Sequence, residues 1–257
     1  MLLEKNFLPA YVISNEDQRW ATNVIPNVRK VLTVTGSGDQ ALFHTLAGAT
    51  TVDTFDITVN ARAIQDIKFA AIKNIPLGEY IQLLHDLRLR LDFLDTPTMQ
   101  KLLPLLPGTT REIINQGRHD YMFCSGLGIT EYYENVPKIP EYIKLRKILT
   151  KPFNFILCDL YDLSAKISDT YDFINLSNIF DYCYDAETQA KILRELTDHL
   201  NIGGHIAYLP QRQQFDYSNV RLTSSNGAKL KYQTTKINNT AKLNRIDTKM
   251  ILFQRTR

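Results

Sequence analysis

The sequence predicts an α/β fold: a mostly parallel sheet with an antiparallel strand pair at its C-terminal end, plus a helical insertion. Three observations predict it. The stretch "VLTVTGSGDQALF" (31–43) passes from an apolar run through a glycine turn directly into a helical pattern. Short β-branched runs then alternate with segments of helical period, the rhythm of parallel β-α-β units. Two late runs, "AKLKYQTTKI" (228–237) and "TKMILFQRT" (248–256), alternate polar and apolar residues, as antiparallel strands with one wet face do.

In chain order, "KVLTVT" (30–35) is a β-rich run and "DQALFHTLAG" (39–48) reads as a helix closed by Gly48. "TTVDTFDI" (50–57) is the second strand. In "NARAIQDIKFAAIKNI" (60–75), Ala61, Ile64, Ile67/Lys68, Ala71 and Ile75 recur at helical spacing. From about Pro76 to Pro152 the pattern is mostly helical, punctuated by "TPT", "LLPGT" and "NVPKIPEY", and no strand is expected in it. This segment, about 77–151, is expected to cap one end of the sheet within a single domain spanning 1–257. Alternation returns with "FNFILCDLYDL" (153–163), "YDFINLSNIFDY" (171–182) and the amphipathic "AETQAKILRELTDHL" (186–200). In "NIGGHIAYLP" (201–210), Gly203-Gly204 is expected to stop that helix and "HIAYL" to start a strand.

Composition narrows the function. With 257 residues and 44% hydrophobic content the chain can bury a full core. A net charge of +3 without a long basic run argues against a nucleic-acid partner. Cys124, Cys158 and Cys183 are far apart and form no C-x-x-C pair, which argues against a disulfide scaffold or a zinc site. His44, His85, His119, His199 and His205 show no metal-ligand spacing, so no metal is expected. Ser125 lies outside any nucleophile elbow. The opening "MLLEKNFLPAYV" lacks the apolar core of a signal peptide. No stretch approaches the roughly 20 apolar residues that cross a bilayer. The expected location is the cytoplasm.

The glycine turn has two readings. Gly36 and Gly38 make a tight β-α turn and Asp56 caps the next helix, or the bare backbone cradles a nucleotide. In the second case Asp56, 20 positions after Gly36, accepts hydrogen bonds from ribose hydroxyls. A nicotinamide dinucleotide and S-adenosylmethionine compete for such a site. The second half of the chain favours the latter. "CDLYDL", "YDFINLSN" and "LRELTDHLNIGGHIAYL" resemble the third to fifth strands of Rossmann-like class I methyltransferases. That resemblance implies that Asp159, with Leu160 behind it, meets the adenine amino group. It also implies that Asn175 and Ser177 face the methionine part. The implied cofactor-binding set is Thr35, Gly36, Ser37, Gly38, Asp39, Asp56, Asp159, Leu160, Asn175 and Ser177.

A narrower resemblance starts from "VLTVTGSGDQALFHTLAGATTVDTFDIT" with "KFAAIKNI" behind it. This block is similar to enzymes that move a 3-amino-3-carboxypropyl group from S-adenosylmethionine to diacylglycerol, the first step of betaine-lipid synthesis. "SNEDQRW" (14–20) resembles that family's W-E-D segment with the tryptophan displaced, and "GRHDYMFCSGLGITEYYEN" (117–135) resembles part of its helical insertion. The turn order Gly36-Ser37-Gly38 differs from the family's Ser-Gly-Gly. Methyltransferases usually carry an acid on the first strand, near the methionine ammonium; here the position is Thr33, either an altered grip or an ordinary strand residue.

The sulfonium activates three carbons, and the protein selects the one that meets the nucleophile. Positioning supplies most of such an in-line displacement, and an alcohol acceptor also needs a base. Base candidates are Glu16, Asp17, Asp181, Tyr182, Tyr208 and Arg212, with Asp17, Asp181 and Tyr182 the expected catalytic set. Glu16 and Asp17 can equally cap a helix. The expected function is an S-adenosylmethionine-dependent transferase of the aminocarboxypropyl type acting on a small-molecule or lipid acceptor. A methyltransferase, a lyase and a non-catalytic cofactor-binding module are the alternatives. Peripheral membrane contact is compatible with this reading, although no long basic amphipathic helix stands out.

Overall fold

A computed structural model describes residues 7–14, 16, 18–89, 92–117, 122–124, 135–183, 185–210, 217, 220, 222–236 and 249–256. Its strands are β1 (Ala10–Tyr11), β2 (Lys30–Val34), β3 (Thr51–Asp56), β4 (Phe123–Cys124) and β5 (Asn154–Leu157). They continue as β6 (Tyr171–Asn175), β7 (Leu200–Tyr208), β8 (Leu230–Lys236) and β9 (Lys249–Arg255). Seven of these form one sheet in the order β5-β3-β2-β6-β7-β9-β8. The neighbours from β5 to β7 are parallel, and β9 is antiparallel to both β7 and β8. This is the mostly parallel Rossmann-like methyltransferase sheet with its antiparallel C-terminal pair. Strand order reverses between β2 and β6, and in open α/β sheets ligands bind at the carboxyl ends beside such a reversal.

Helices α1 (Arg19–Val24), α2 (Asp39–Leu46) and α3 (Val59–Asn74) belong to the first half of the sheet. The insertion supplies α4 (Leu77–Leu89), α5 (Pro97–Leu102), α6 (Gly108–Gln116) and α7 (Ile139–Ile148). Helices α8 (Leu163–Lys166) and α9 (Ala186–Thr197) follow. The period-2 alternation of β2 separates two cores. Val31 packs with Ala41, Phe173 and Ala207, whereas Leu32 and Val34 pack with Ile174, Leu193 and Ile206. A third cluster joins α3 to the insertion through Ile64, Ile67, Tyr80, Leu83, Leu102 and Leu145.

The insertion therefore rides on the outer face of α3. Helix α7 also completes the end of α3: the Tyr142 hydroxyl donates to the carbonyls of Ala71 and Ile75, and the Arg146 guanidinium donates to those of Ile72 and Ile75. These bonds supplement the last turn, where the Ala71 carbonyl also accepts from the Ile75 N–H at 2.9 Å. Two expectations need correcting. The insertion does contain a strand, since Phe123–Cys124 pairs in parallel with Ala10–Tyr11, but two residues are too few to show a period. Gly203-Gly204 does not stop the preceding helix, which ends at Thr197; the pair lies inside β7, where the register against β6 slips between Tyr171 and Phe173. Gly203 has φ +84°, and a Cβ on Gly204 would come within 2.9 Å of the Asn201 carbonyl, so the glycines make a bulge that no side chain tolerates.

Gly38 illustrates the close approach of the glycine turn to α3. It sits at φ +80°, and an added Cβ would lie 3.0 Å from Cα of Gln65 on α3. Gly38→Ala is expected to lower stability by about 2 kcal/mol or more, from left-handed strain and backbone displacement together. A urea-denaturation midpoint within error of wild type would contradict this.

Candidate functional site

The site is built where the N-terminal segment crosses the carboxyl edge of the sheet. Leu8 is tied down by its carbonyl, which accepts from the Thr58 hydroxyl at 2.6 Å and the Asn60 amide at 3.0 Å. Ala10 and Tyr11 pair with the insertion, and the Ser14 N–H donates to Asp39 Oδ2 at 2.8 Å. Beneath this strap runs the glycine turn. Thr35 anchors it, its N–H and its hydroxyl both donating to the Phe55 carbonyl at the end of β3. Gly36 takes φ +52°, and a Cβ there would meet open space.

Asp56 joins the two strand ends. Its Oδ2 accepts from the Gly36 N–H at 3.0 Å and its Oδ1 from the Thr58 N–H at 3.2 Å. Burial pushes its pKa up to about 6, although these backbone donors pull it down. With backbone N–H groups of Gly36, Thr58 and Ile57 on its two oxygens, the carboxylate keeps capacity for a further donor. The cleft above is lined by Tyr11, Ser14, Gly36, Asp56, Ser177 and Tyr182, among others.

Several expected residues sit behind this wall. Asp39 is 1% exposed; its carboxylate binds Lys68 Nζ at 2.5 Å and accepts from the Ser37 hydroxyl and Ser14 N–H at 2.8 Å. It braces the turn and the strap. Asn175 is also buried: its Oδ1 accepts from the Ser177 N–H, and its amide nitrogen lies 3.3 Å from His44 Nε2. Burial lowers the His44 pKa to about 4, which keeps this ring neutral. Thr33 holds its hydroxyl against Gln40 Oε1 at 3.1 Å, so no acid occupies that place on the strand.

On the other flank, the Cys158 N–H donates to the Asp56 carbonyl, which fixes Asp159 near Asp56. Asp159 is exposed and caps a short turn through the Tyr161 N–H; Leu160 is buried behind it. Ile57 is 45% exposed and Leu157 40%, at the ends of adjacent strands.

The expected catalytic residues fare unequally. Asp17 lies outside the described residues, as does Arg212. Asp181 is buried and accepts from the Tyr208 hydroxyl at 2.8 Å, while Tyr182 is on the cleft wall and half exposed. Glu16, weighed in sequence beside Asp17, is the better placed: it is 1% exposed, and its Oε2 accepts from the Ser177 hydroxyl at 2.7 Å. Ser177 is held in a left-handed conformation, φ +51°, that serine rarely adopts. Sequence reasoning gave Lys68 no role; its only signal was a lysine on an apolar helical stripe.

Within the fold, an S-adenosyl compound fits these groups. Asp56 suits the ribose hydroxyls, Asp159 suits the adenine amino group, and the open space at Gly36 admits the sugar–sulfur junction. Gly36→Ala is expected to cost about 1 kcal/mol of stability from left-handed strain alone. Its cofactor affinity should fall further, by about tenfold, because the methyl group enters the cleft. Calorimetric titration beside denaturation separates the two effects; normal affinity would remove Gly36 from the site.

No family model matches the chain, and no curated protein does. Solved structures do. TehB from Haemophilus influenzae is 16% identical over 94% of this chain and 62% of its own, with a TM-score of 0.40. The chain thus spans less than two thirds of TehB. The rRNA methyltransferase aviRa from Streptomyces viridochromogenes is 15% identical over 99% of this chain and 89% of its own, at 0.47. An rRNA methylase from Streptococcus thermophilus is 9% identical over 93% and 94%, at 0.40. These likenesses correct one expectation: proteins named for action on RNA are among the similar structures, so nucleic acid is no longer excluded as a partner. The physical reason is that a net charge of +3 averages over the chain, whereas binding depends on local clustering. No described helix is long and apolar enough to cross a membrane.

Proposed function

We propose that the chain is an S-adenosylmethionine-dependent transferase, with residues 1–257 forming one cofactor-binding unit whose insertion, 77–151, packs on α3. The observation that carries this reading is Asp56 bridging the glycine turn at the strand-order reversal, with room above Gly36. When bound, the sulfonium would supply an activated carbon. The chain's own part is to fix the sugar through Asp56, to exclude water beneath the strap at 8–14, and to receive a proton near Ser177. The Glu16 carboxylate, buried and hydrogen-bonded to the Ser177 hydroxyl, is the base this reading favours; Tyr182 would orient the acceptor, and Asp181 would act through Tyr208.

For the group moved, we favour 3-amino-3-carboxypropyl. Support comes from the resemblance of the 31–43 block and from Thr33, which leaves a hydroxyl bonded to Gln40 where methyltransferases place an acid. Methyl transfer is the second reading, supported by a sheet whose C-terminal pair is common to methyltransferases at large. The by-products differ. Incubation with labelled S-adenosylmethionine and a cell extract, followed by mass analysis, is expected to yield methylthioadenosine together with a product heavier by the aminocarboxypropyl group. S-adenosylhomocysteine instead would establish methyl transfer, and methylthioadenosine without a modified acceptor would establish a lyase.

A further inference from the structure

Helix α7 carries a face that the fold does not use. Its inner residues Tyr142, Leu145 and Leu149 are buried against α3. Its outer surface nevertheless presents Ile139 at 66% exposure, Ile143 at 50% and Ile148 at 37%. These fall on two adjacent rows at i, i+4 spacing, Ile139–Ile143–Lys147 and Pro140–Lys144–Ile148. Lys138, Lys144, Lys147 and Lys151 are exposed around them. Of the helix's basic residues, Arg146 is turned to the carbonyls at the end of α3. The one acid between Lys138 and Lys151, Glu141, is paired with Arg19 at 2.9 Å. Lys144 also donates to the Leu46 carbonyl at 2.8 Å, which holds its ammonium beside the stripe. A shallow apolar groove formed by Leu77, Ile81, Val136, Pro137 and Pro140 continues the stripe at its Ile139 end.

We propose that this face of α7 docks on an anionic lipid surface. Aliphatic side chains set among lysines match the boundary between acyl chains and acidic headgroups. A second copy of this chain is a poor occupant, since a two-fold contact would set lysines against lysines. An RNA is poorer still, because the exposed apolar residues are isoleucines with no flat ring on which to stack a base. The location serves a purpose. Asn135, four residues before Ile139, accepts from the Gln18 N–H and donates to the carbonyl of the cleft residue Ser14. These bonds tie the Ile139 end of the face to the cleft wall. A sequence moment could not reveal this, because apolar residues on both sides of the helix cancel. The proposal does not depend on the cofactor and is tested without it.

Full-length protein is sedimented with vesicles of phosphatidylcholine containing 30% phosphatidylserine, and with pure phosphatidylcholine. Binding is expected to the acidic vesicles only, weakening about fivefold for each of Lys147→Ala and Lys151→Ala and fading as salt rises. The double variant Ile139→Ser, Ile143→Ser is expected to lose binding about tenfold or more while keeping its melting temperature. Absence of sedimentation, or binding unchanged by the isoleucine substitutions, would overturn the proposal. So would loss of a wild-type dimer in the double variant, or tighter retention of the face by RNA than by lipid.

Discussion

Replacing Asp56 with alanine is expected to weaken S-adenosylmethionine binding by about 10- to 100-fold, because paired hydrogen bonds to a charged acceptor are lost. The same residue should set the pH dependence. Hydroxyl donors bind the carboxylate, and this group titrates near 6 in the ligand-free fold. Affinity is therefore expected to be level above pH 7 and to drop by up to about tenfold per unit below 6. The stability of the ligand-free protein runs the other way. The folded pKa lies above the ordinary 3.8, so the contribution of Asp56 is complete below that value and is lost as pH rises through about 6, at most about 3 kcal/mol. His44 has the opposite sign: its folded value near 4 lies below 6.5, so its contribution is complete above 6.5 and is lost on acidification by a similar amount. Between pH 4 and 6.5 the two nearly cancel. A stability profile alone would then hide Asp56, and calorimetric titration of ligand from pH 5 to 8 reveals it. A flat wild-type profile, or equal affinity in the alanine variant, would remove the carboxylate from the site.

What the sequence made legible follows from the range of the signal. Strand, glycine turn and helix at 30–46 are local, so Asp56 was placed from spacing alone, and Thr33 was noticed from its position on the first strand. The antiparallel pair was legible because one wet face imposes a period of two. Contacts across large sequence separations were not. The strap at 8–14 earns its position from Thr58, Asn60, Asp39 and Phe123, none of which leaves a mark in the strap's own pattern. Glu16 and Asp17 were indistinguishable as neighbours; the bond from Ser177, 161 positions away, distinguishes Glu16. Gly203-Gly204 carried a true signal with two meanings, a helix stop or a bulge, and only the pairing with β6 decides between them.

Lys68 is where the sequence-level rule fails and the structural consequence is largest. A lysine 1% exposed on an apolar stripe is tolerated only with its charge matched, and Asp39 matches it at 2.5 Å. Desolvation lowers the Lys68 pKa, opposed by the Asp39 charge and hydrogen bond. Lys68→Met preserves much of the volume but strands the Asp39 carboxylate among neutral donors. The expected loss is about 3–5 kcal/mol at pH 7, the range for breaking a buried pair from one side. The companion Asp39→Asn strands the ammonium instead, and that loss should shrink toward high pH as the lysine deprotonates. In urea denaturation, a loss in Asp39→Asn that shrinks toward high pH distinguishes a charge pair from simple packing, for which the loss would be the same at every pH. Because Asp39 also holds Ser14 and Ser37, each variant should loosen the strap before it unfolds the sheet. Faster amide exchange at residues 8–14 than in β2 and β3 is the expected sign, and uniform exchange would mean that the pair supports the core rather than the cleft.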